Sequence, residues 1–308
     1  MSARFTAARE LLRRPAGAFG LAVIALVLLA ALVSLFWTPH PLLEADVSER
    51  WQGPSATHWL GTDQIGRDLA SWLIAGARTT VVVASGSTLL AGVLGVLLAS
   101  LGALTARTVR EAVTVLIDLA IAFPVLLIAM LLAATLGGSL FVVVLAVGIG
   151  GGVTIARVSR PEIRRVQRAD YVLAARAAGA RRLAIVAEHI LPNVSPTLAV
   201  QLSRVAATAI LAEAGLSYLG YGAASGTPSW GRLLASTQQY ITVRPSAVLW
   251  PGLTITVATL GLTLFGDAVR EALDPRLRRS HVAAPGRARG ALGALGALEP
   301  RSEPEGQA

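Results

Sequence analysis

Few side chains among these 308 residues can do chemistry, and their spacing excludes most of what such residues usually do. The four histidines, His40, His58, His189 and His281, are scattered along the chain, and Glu188-His189 does not form the H-E-x-x-H spacing of a zinc hydrolase. No G-x-S-x-G elbow presents a nucleophilic serine. There is no cysteine, so thiolate metal sites and disulfides are excluded. All 27 cationic residues are arginine, and a chain without lysine has neither a P-loop that reaches the β- and γ-phosphates nor a Schiff base. Gly61, Asp63, Gly66 and Asp68 alternate glycine with carboxylate, but they lack the order and the closing glutamate of a calcium loop. Their spacing predicts turns, followed by an interfacial helix beginning near Asp68. No catalytic residue, metal ligand or bound cofactor is expected in this chain.

What remains is a set of charges in apolar surroundings. Asp118, Arg204 and Glu213 each interrupt a long uncharged run. A charge at mid-bilayer costs about 2.5–3.5 kcal/mol on insertion scales, so each needs a partner or a wet cavity. Asp118 lies about 10 Å into its helix from Glu111, at 1.5 Å per residue. That depth suits a structural contact near the cytoplasmic end. Arg204 and Glu213 are nine residues apart, about 14 Å along a helix, too far for a direct pair. Arg204 is expected either to pair with Asp118 or to line a wet cavity. Glu213 is expected either to serve structure or to contact substrate or an external gate, with Ser217 one turn away.

The elements that position these residues are membrane spans. The composition is 54% apolar and 15% charged, against a usual charged share of about 25%. A helix needs about 20 residues to cross the hydrocarbon. The uncharged runs predict six spans, at about 17–37, 79–104, 112–136, 139–157, 195–216 and 245–266. Gly137-Gly138-Ser139 supplies a turn between the third and fourth. The first run is too long for the core of a secretory signal, lacks a small-x-small site and is followed by more spans, so it reads as a retained anchor. Residues 1–16 then form a short N-terminal segment, 17–279 the membrane domain, and 280–308 a tail without periodicity that reads as disordered. Four arginines lie before Pro15, two in 105–111, eight in 157–192 and seven from Arg270 onward. Only Arg50, Arg67, Arg78, Arg232 and Arg244 fall in the segments between. The positive-inside rule therefore puts both termini in the cytoplasm. Five of the tryptophans, Trp37, Trp51, Trp59, Trp72 and Trp230, fall near the outer interface, as an aromatic belt would.

The loop at 158–192 is far longer than a connector needs. Asp170 reads as the N-cap of a helix through Ala178, Gly179 as its C-terminal stop, and 180–190 as a second helix that ends before Pro192. The apolar faces of such a hairpin need a partner protein or the membrane edge, and its arginines also suit anionic lipid.

Leu173-Ala174-Ala175, then Gly179, then Leu191-Pro192, resembles the EAA loop of binding-protein-dependent ABC importer permeases. The segment from His58 to Asp68, Asp118 with Phe123-Pro124, the run from Glu213 to Gly220, Ser229-Trp230-Gly231, and the residues 274–278 all resemble the dipeptide/oligopeptide/nickel branch, in its C-type permeases. The resemblance covers about residues 5–279. It implies an all-α integral membrane protein of six transmembrane helices with the type I ABC importer permease fold, in a bacterial-type inner membrane. It implies partners: two ATPase subunits that bind ATP and magnesium, a B-type permease as heterodimer partner, an extracytoplasmic solute-binding protein and membrane lipid, with no nucleic acid. Asp170, Tyr171, Leu173, Ala174, Ala175, Gly179, Leu191 and Pro192 would form the ATPase-coupling loop. Leu173 stands where the family has glutamate, and Asp170 lies three residues earlier on a similar face. Asp118, Arg204, Glu213 and Ser217 are then candidates for the pathway or a gate. Gly61, Asp63, Arg67, Asp68 and Trp230 are candidates to face the binding protein. The competing reading is a self-sufficient secondary transporter, for which the expected internal repeat is not apparent.

Overall fold

The computed structural model describes residue 11, residues 13–104 and residues 107–273. The motif at 274–278, the tail from 280 and the arginines at 4 and 9 lie outside the described residues. Among those described, regular structure is helical, apart from an isolated bridge between Thr62 and Asp68. The helices are α1 (Pro15–Val33), α2 (Leu69–Leu104), α3 (Arg107–Ile121), α4 (Val125–Leu136), α5 (Leu140–Gln167), α6 (Asp170–Ala177), α7 (Arg182–Ile185), α8 (Leu191–Tyr218), α9 (Trp230–Gln238) and α10 (Pro245–Leu273). A single turn of 3-10 helix occupies Val47–Glu49, and a π-helical turn, Val186–Ile190, joins α7 to α8.

Among the described residues five helices are long and apolar enough to cross a membrane, and they number six if a bent pair counts as one span. The bent pair corrects the expectation of one straight helix over 112–136. α3 and α4 meet at 82°. The cause is Pro124, which has no N–H to donate and holds an extended ψ of 126° at the N-cap of α4. The 12 residues of α4 reach only about 18 Å, short of the ~30 Å hydrocarbon thickness. α1 ends at Val33, inside its uncharged run, whereas others overrun theirs. α2 starts at Leu69 rather than 79, and α5 runs to Gln167 rather than 157. A helix keeps its own hydrogen bonds as it leaves the hydrocarbon, so charge does not stop it where lipid ends.

Three apolar clusters follow one another along α2. The first gathers Leu69, Trp72, Trp230, Leu233, Ala247 and Ile255. The second holds Val83, Val143, Val147, Val205, Ala209 and Leu216. The third, at the arginine-rich end, holds Ala99, Ile117, Ile163, Val166, Val172, Ile185 and Ile190. Small residues set the spacing of α2 on α5, as is usual where lipid removes the hydrophobic drive between helices. A Cβ on Gly95 would lie 2.5 Å from the Ile155 Cγ2, and one on Gly152 would lie 2.8 Å from the Leu94 Cβ.

Gly95→Leu is therefore expected to destabilise the fold by about 1–3 kcal/mol, read as a lower melting temperature in detergent. Gly252→Ala on α10 meets nothing within 4 Å and should leave that temperature unchanged or raise it.

Candidate functional site

At the arginine-rich end, α6 stands out from the bundle on one buried side chain. Val172 is fully enclosed, packed with the third apolar cluster. Tyr171 and Leu173 are 48% and 49% exposed, and Asp170, Ala174, Arg176 and Gly179 are exposed as well. Asp170 is not the N-cap expected of it. Ala169 occupies that position, extended at ψ 142°, and Asp170 is the first helical residue, with no side-chain capping bond. Its carboxylate still sits in the first turn, where the helix dipole favours it. The helix ends as the sequence requires of a glycine. Gly179 has φ +84°, its N–H donates to the Arg176 carbonyl at 3.0 Å, and the Ala180 N–H donates to that of Ala175 at 3.0 Å. This paired closure needs a left-handed residue, which only glycine adopts at little cost.

The chain does not break before Pro192. The π-helical turn runs straight into α8, with Leu191 half-buried and Pro192 near its N-terminus. Proline fits there because the early amides of a helix have no partner to lose. Tyr171 and His189 meet edge to face, with centroids 5.8 Å apart, which ties α6 to that turn.

The charges in apolar surroundings do not meet as expected. Arg204 pairs with Asp267 on α10 at 3.7 Å, both half-exposed, and not with Asp118. The two helices approach closely here, since a Cβ on Gly266 would lie 2.8 Å from that of Ser203. Asp118 is exposed on α3, where its charge acts on Arg160 of α5, whose guanidinium donates to Thr114 one turn before it.

Glu213 is fully buried. Its Oε1 accepts from the Ser217 hydroxyl at 2.7 Å and the Ser229 hydroxyl at 2.8 Å, while Oε2 has no protein partner. The Ser217 hydroxyl in turn accepts the Ala223 N–H at 2.9 Å. Ser229 also caps α9, and the indole of Trp230 donates to the Leu73 carbonyl of α2 at 2.8 Å.

Several residues of the segment before α2 that were expected to face outward are turned inward. Asp63 and Asp68 are buried, and Trp230 is 2% exposed. Asp63 accepts the backbone N–H of Ile65 and of Arg67, and the Arg67 guanidinium grips its Oδ2 at 2.7–2.8 Å while lying over Trp72. Gly61 and Gly66 both have positive φ, and a Cβ on Gly66 would overlap the Asp46 carbonyl. Asp68 caps α2 through the Ser71 N–H, so a transmembrane helix starts here and not an interfacial one. Trp72 is buried too, leaving Trp37 and Trp59, 6.3 Å apart and about half exposed, to face outward.

Residues 91–279 match the family described as binding-protein-dependent transport system inner membrane components. The chain belongs to that family. It is 33% identical to the dipeptide transport system permease protein DppC of Alkalihalophilus pseudofirmus, over 88% of this chain and 89% of that one. It is 32% identical to the nickel transport system permease protein NikC of Escherichia coli K12, over 85% and 94%. It is 30% identical to the oligopeptide transport system permease protein OppC of Bacillus subtilis, over 84% and 85%. One chain of a solved structure of the MetNI methionine ABC transporter, in inward-facing conformations, shares the fold. The likeness has a TM-score of 0.54 at 17% identity and covers 66% of this chain and 97% of that one. The chain is thus a multi-pass inner-membrane permease subunit of an ATP-driven importer with the type I fold, and the self-sufficient carrier is not favoured.

None of the residues singled out for the pathway lines the aliphatic groove of this permease. That groove, of about 830 Å³, opens among α1, α2, α8 and α10 and is walled by aliphatic side chains such as Val27, Val81, Leu198 and Leu202. The sequence also gave no reason to join His40 to His58, yet their rings stack with centroids 4.4 Å apart. His58 is buried, with Nδ1 3.0 Å from the Asp68 Oδ1 and Nε2 3.2 Å from the Glu49 Oε2. Burial alone would push the His58 imidazole down, but the two carboxylates outweigh it and hold its pKa above the usual range. The only trace of this in the sequence is that carboxylates at 49 and 68 flank it at similar distances.

Glu213→Gln keeps the oxygen that receives both hydroxyls and replaces the unpartnered one with an amide. It should insert and melt like the parent, whereas Ser217→Ala should cost about 1–3 kcal/mol. A Glu213→Gln permease that folds normally yet no longer transports would assign the carboxylate to the pathway.

Proposed function

We propose that this permease forms half of the translocation pathway of an importer for di- or oligopeptides, or for a related small solute such as a nickel chelate. The substrate class rests on the relatives, which match over most of both chains and are named for dipeptide, oligopeptide and nickel transport. The mechanism rests on one observation. α6 buries Val172, turns an exposed face away from the bundle, and meets through Tyr171 and His189 the π-helical turn that runs into α8 without a loop.

In this reading α6 is the handle by which a separate ATPase subunit moves the membrane helices. Tyr171, Leu173, Ala174 and Ala175 sit in a groove of that subunit, with Gly179 setting the angle of the chain behind them. Leu173 makes the contact apolar where the family uses a carboxylate. Two ATPase subunits bind ATP and magnesium, and this chain, which has no lysine, binds no nucleotide. A B-type permease forms the other half of the pathway, and an extracytoplasmic binding protein delivers the solute at the opposite end. The arginine distribution supports a cytoplasmic location for both termini and for α6. Arg204 with Asp267, and Asp118, are the charges placed to face the pathway. Glu213 and Ser217, being enclosed, act on it through the packing of α9.

Rigid-body motion of a packed element is the physical basis of the coupling. Gly179→Ile forces a β-branched residue into a left-handed turn. It should abolish transport-coupled ATP hydrolysis in the assembled importer while leaving membrane insertion intact. Because the parent lacks cysteine, Ala174→Cys gives a single-site probe. It should cross-link to an ATPase subunit carrying one engineered thiol. Normal coupling in the first variant, or labelling of the second only from outside the cell, would overturn the reading.

A further inference from the structure

A cluster of ligating side chains lies at the end of the bundle opposite α6, and transport as described makes no use of it. His40 is on the segment leaving α1, His58 in the loop that follows, and Asp68 at the cap of α2. Each offers one ligand atom, and these atoms lie within 4.8 Å of one another. His58 and Asp68 are buried, and His40 is half-buried. They adjoin a cavity of about 140 Å³ to which Glu44, Asp46 and Glu49 also contribute. Its lining thus carries four carboxylates and no arginine, which favours a cation.

Each of the three side chains is already oriented from behind. The His40 Nε2 lies 2.9 Å from the Thr57 carbonyl, which can only accept, so that nitrogen donates and Nδ1 is left over. The Asp68 Oδ2 accepts the backbone N–H and the hydroxyl of Ser71, each at 2.7 Å, which leaves Oδ1. The His58 Nε2 faces the Glu49 carboxylate, the arrangement that fixes a metal-ligating imidazole by its second nitrogen. The free atoms of His58 and Asp68 are 3.0 Å apart, joined by one proton.

We propose that His40 Nδ1, His58 Nδ1 and Asp68 Oδ1 bind a divalent transition-metal ion that pins the segment after α1 to the start of α2. The ion takes the place of the proton between His58 and Asp68. Two imidazoles and one carboxylate suit zinc, nickel or copper, whereas calcium and magnesium prefer all-oxygen sets. Bonds of about 2.0–2.1 Å bring such ligand atoms to roughly 3.3 Å from one another. The cluster therefore has to close on the ion, and His40, the least enclosed of the three, makes the move by rotating its ring. The acidic cavity supplies water to the remaining position. The ion is a resident of the external cap and not cargo, since its ligands are tied to the backbone of Thr57 and of Ser71 and to the Glu49 carboxylate.

The test uses the full-length permease in detergent micelles, stripped with a chelator and then titrated with zinc against a competing chelator. One zinc per chain is expected, with a rise in melting temperature. Cobalt should give a visible d–d band without a thiolate charge-transfer band, and zinc should bleach it stoichiometrically. His40→Gln and Asp68→Asn should each weaken zinc binding at least about 10-fold, and Glu49→Gln about 10- to 100-fold. His281→Gln, in the tail, should bind zinc like the parent. Equal zinc affinity in the parent and in His40→Gln, or retention lost only in His281→Gln, overturns the proposal. Should the cluster variants fail to fold, the cobalt band of the unaltered permease decides alone, and its absence overturns the site.

Discussion

One enclosed carboxylate organises the end of the bundle opposite the arginine-rich helices. The Glu213 Oε1 draws in two hydroxyls, that of Ser217 four residues on along its own helix and that of Ser229, 16 residues on, just before α9. Burying such a group is costly unless it is hydrogen-bonded, so the positions of both serines are tightly specified. With Ser229 fixed, Trp230 drops between α2 and α8, where its indole finds the Leu73 carbonyl and its ring fills the first apolar cluster. Thr79 on α2 reaches back to the Pro228 carbonyl at 2.7 Å and closes the same joint from the other side. α9 is thereby laid across α2, α8 and α10.

The helical membrane architecture was readable because its cause is compositional. Lipid admits few charges, and the runs between charges mark where the chain can be buried in it. The helix ends were less readable, since hydrogen bonding within a helix is indifferent to the lipid boundary. α2 begins ten residues before its uncharged run because Asp68 caps it there, a local signal that hydropathy does not see. The elbow between α3 and α4 was written in Phe123-Pro124, but a continuous apolar run hid it. Proline is common in membrane helices, and only its place before α4, rather than inside a helix as at Pro161 and Pro196, produces the 82° bend.

The functional residues divide along the same line. Gly179 was legible because a left-handed helix stop is a property of one residue and its neighbours. Partners separated in sequence were not. Nothing in the spacing selects Asp267 over Asp118 for Arg204; the choice is made by the close approach of Ser203 and Gly266. Likewise Asp63, Asp68 and Trp230 read as surface residues in a polar segment, and the fold turns them inward because each satisfies a buried donor or fills a gap between helices. In both cases chain topology, not residue type, decides what a side chain meets.

The π-helical turn has a mechanical consequence. Because it passes into α8 without a loop, Val186–Tyr218 forms one rod of 33 residues, about 50 Å of helix. A tilt of about 5° at its base swings the far tip by roughly 4 Å, and that tip carries Glu213. The rod is a lever, and a small displacement applied at the π-helical turn at its foot is amplified rather than absorbed.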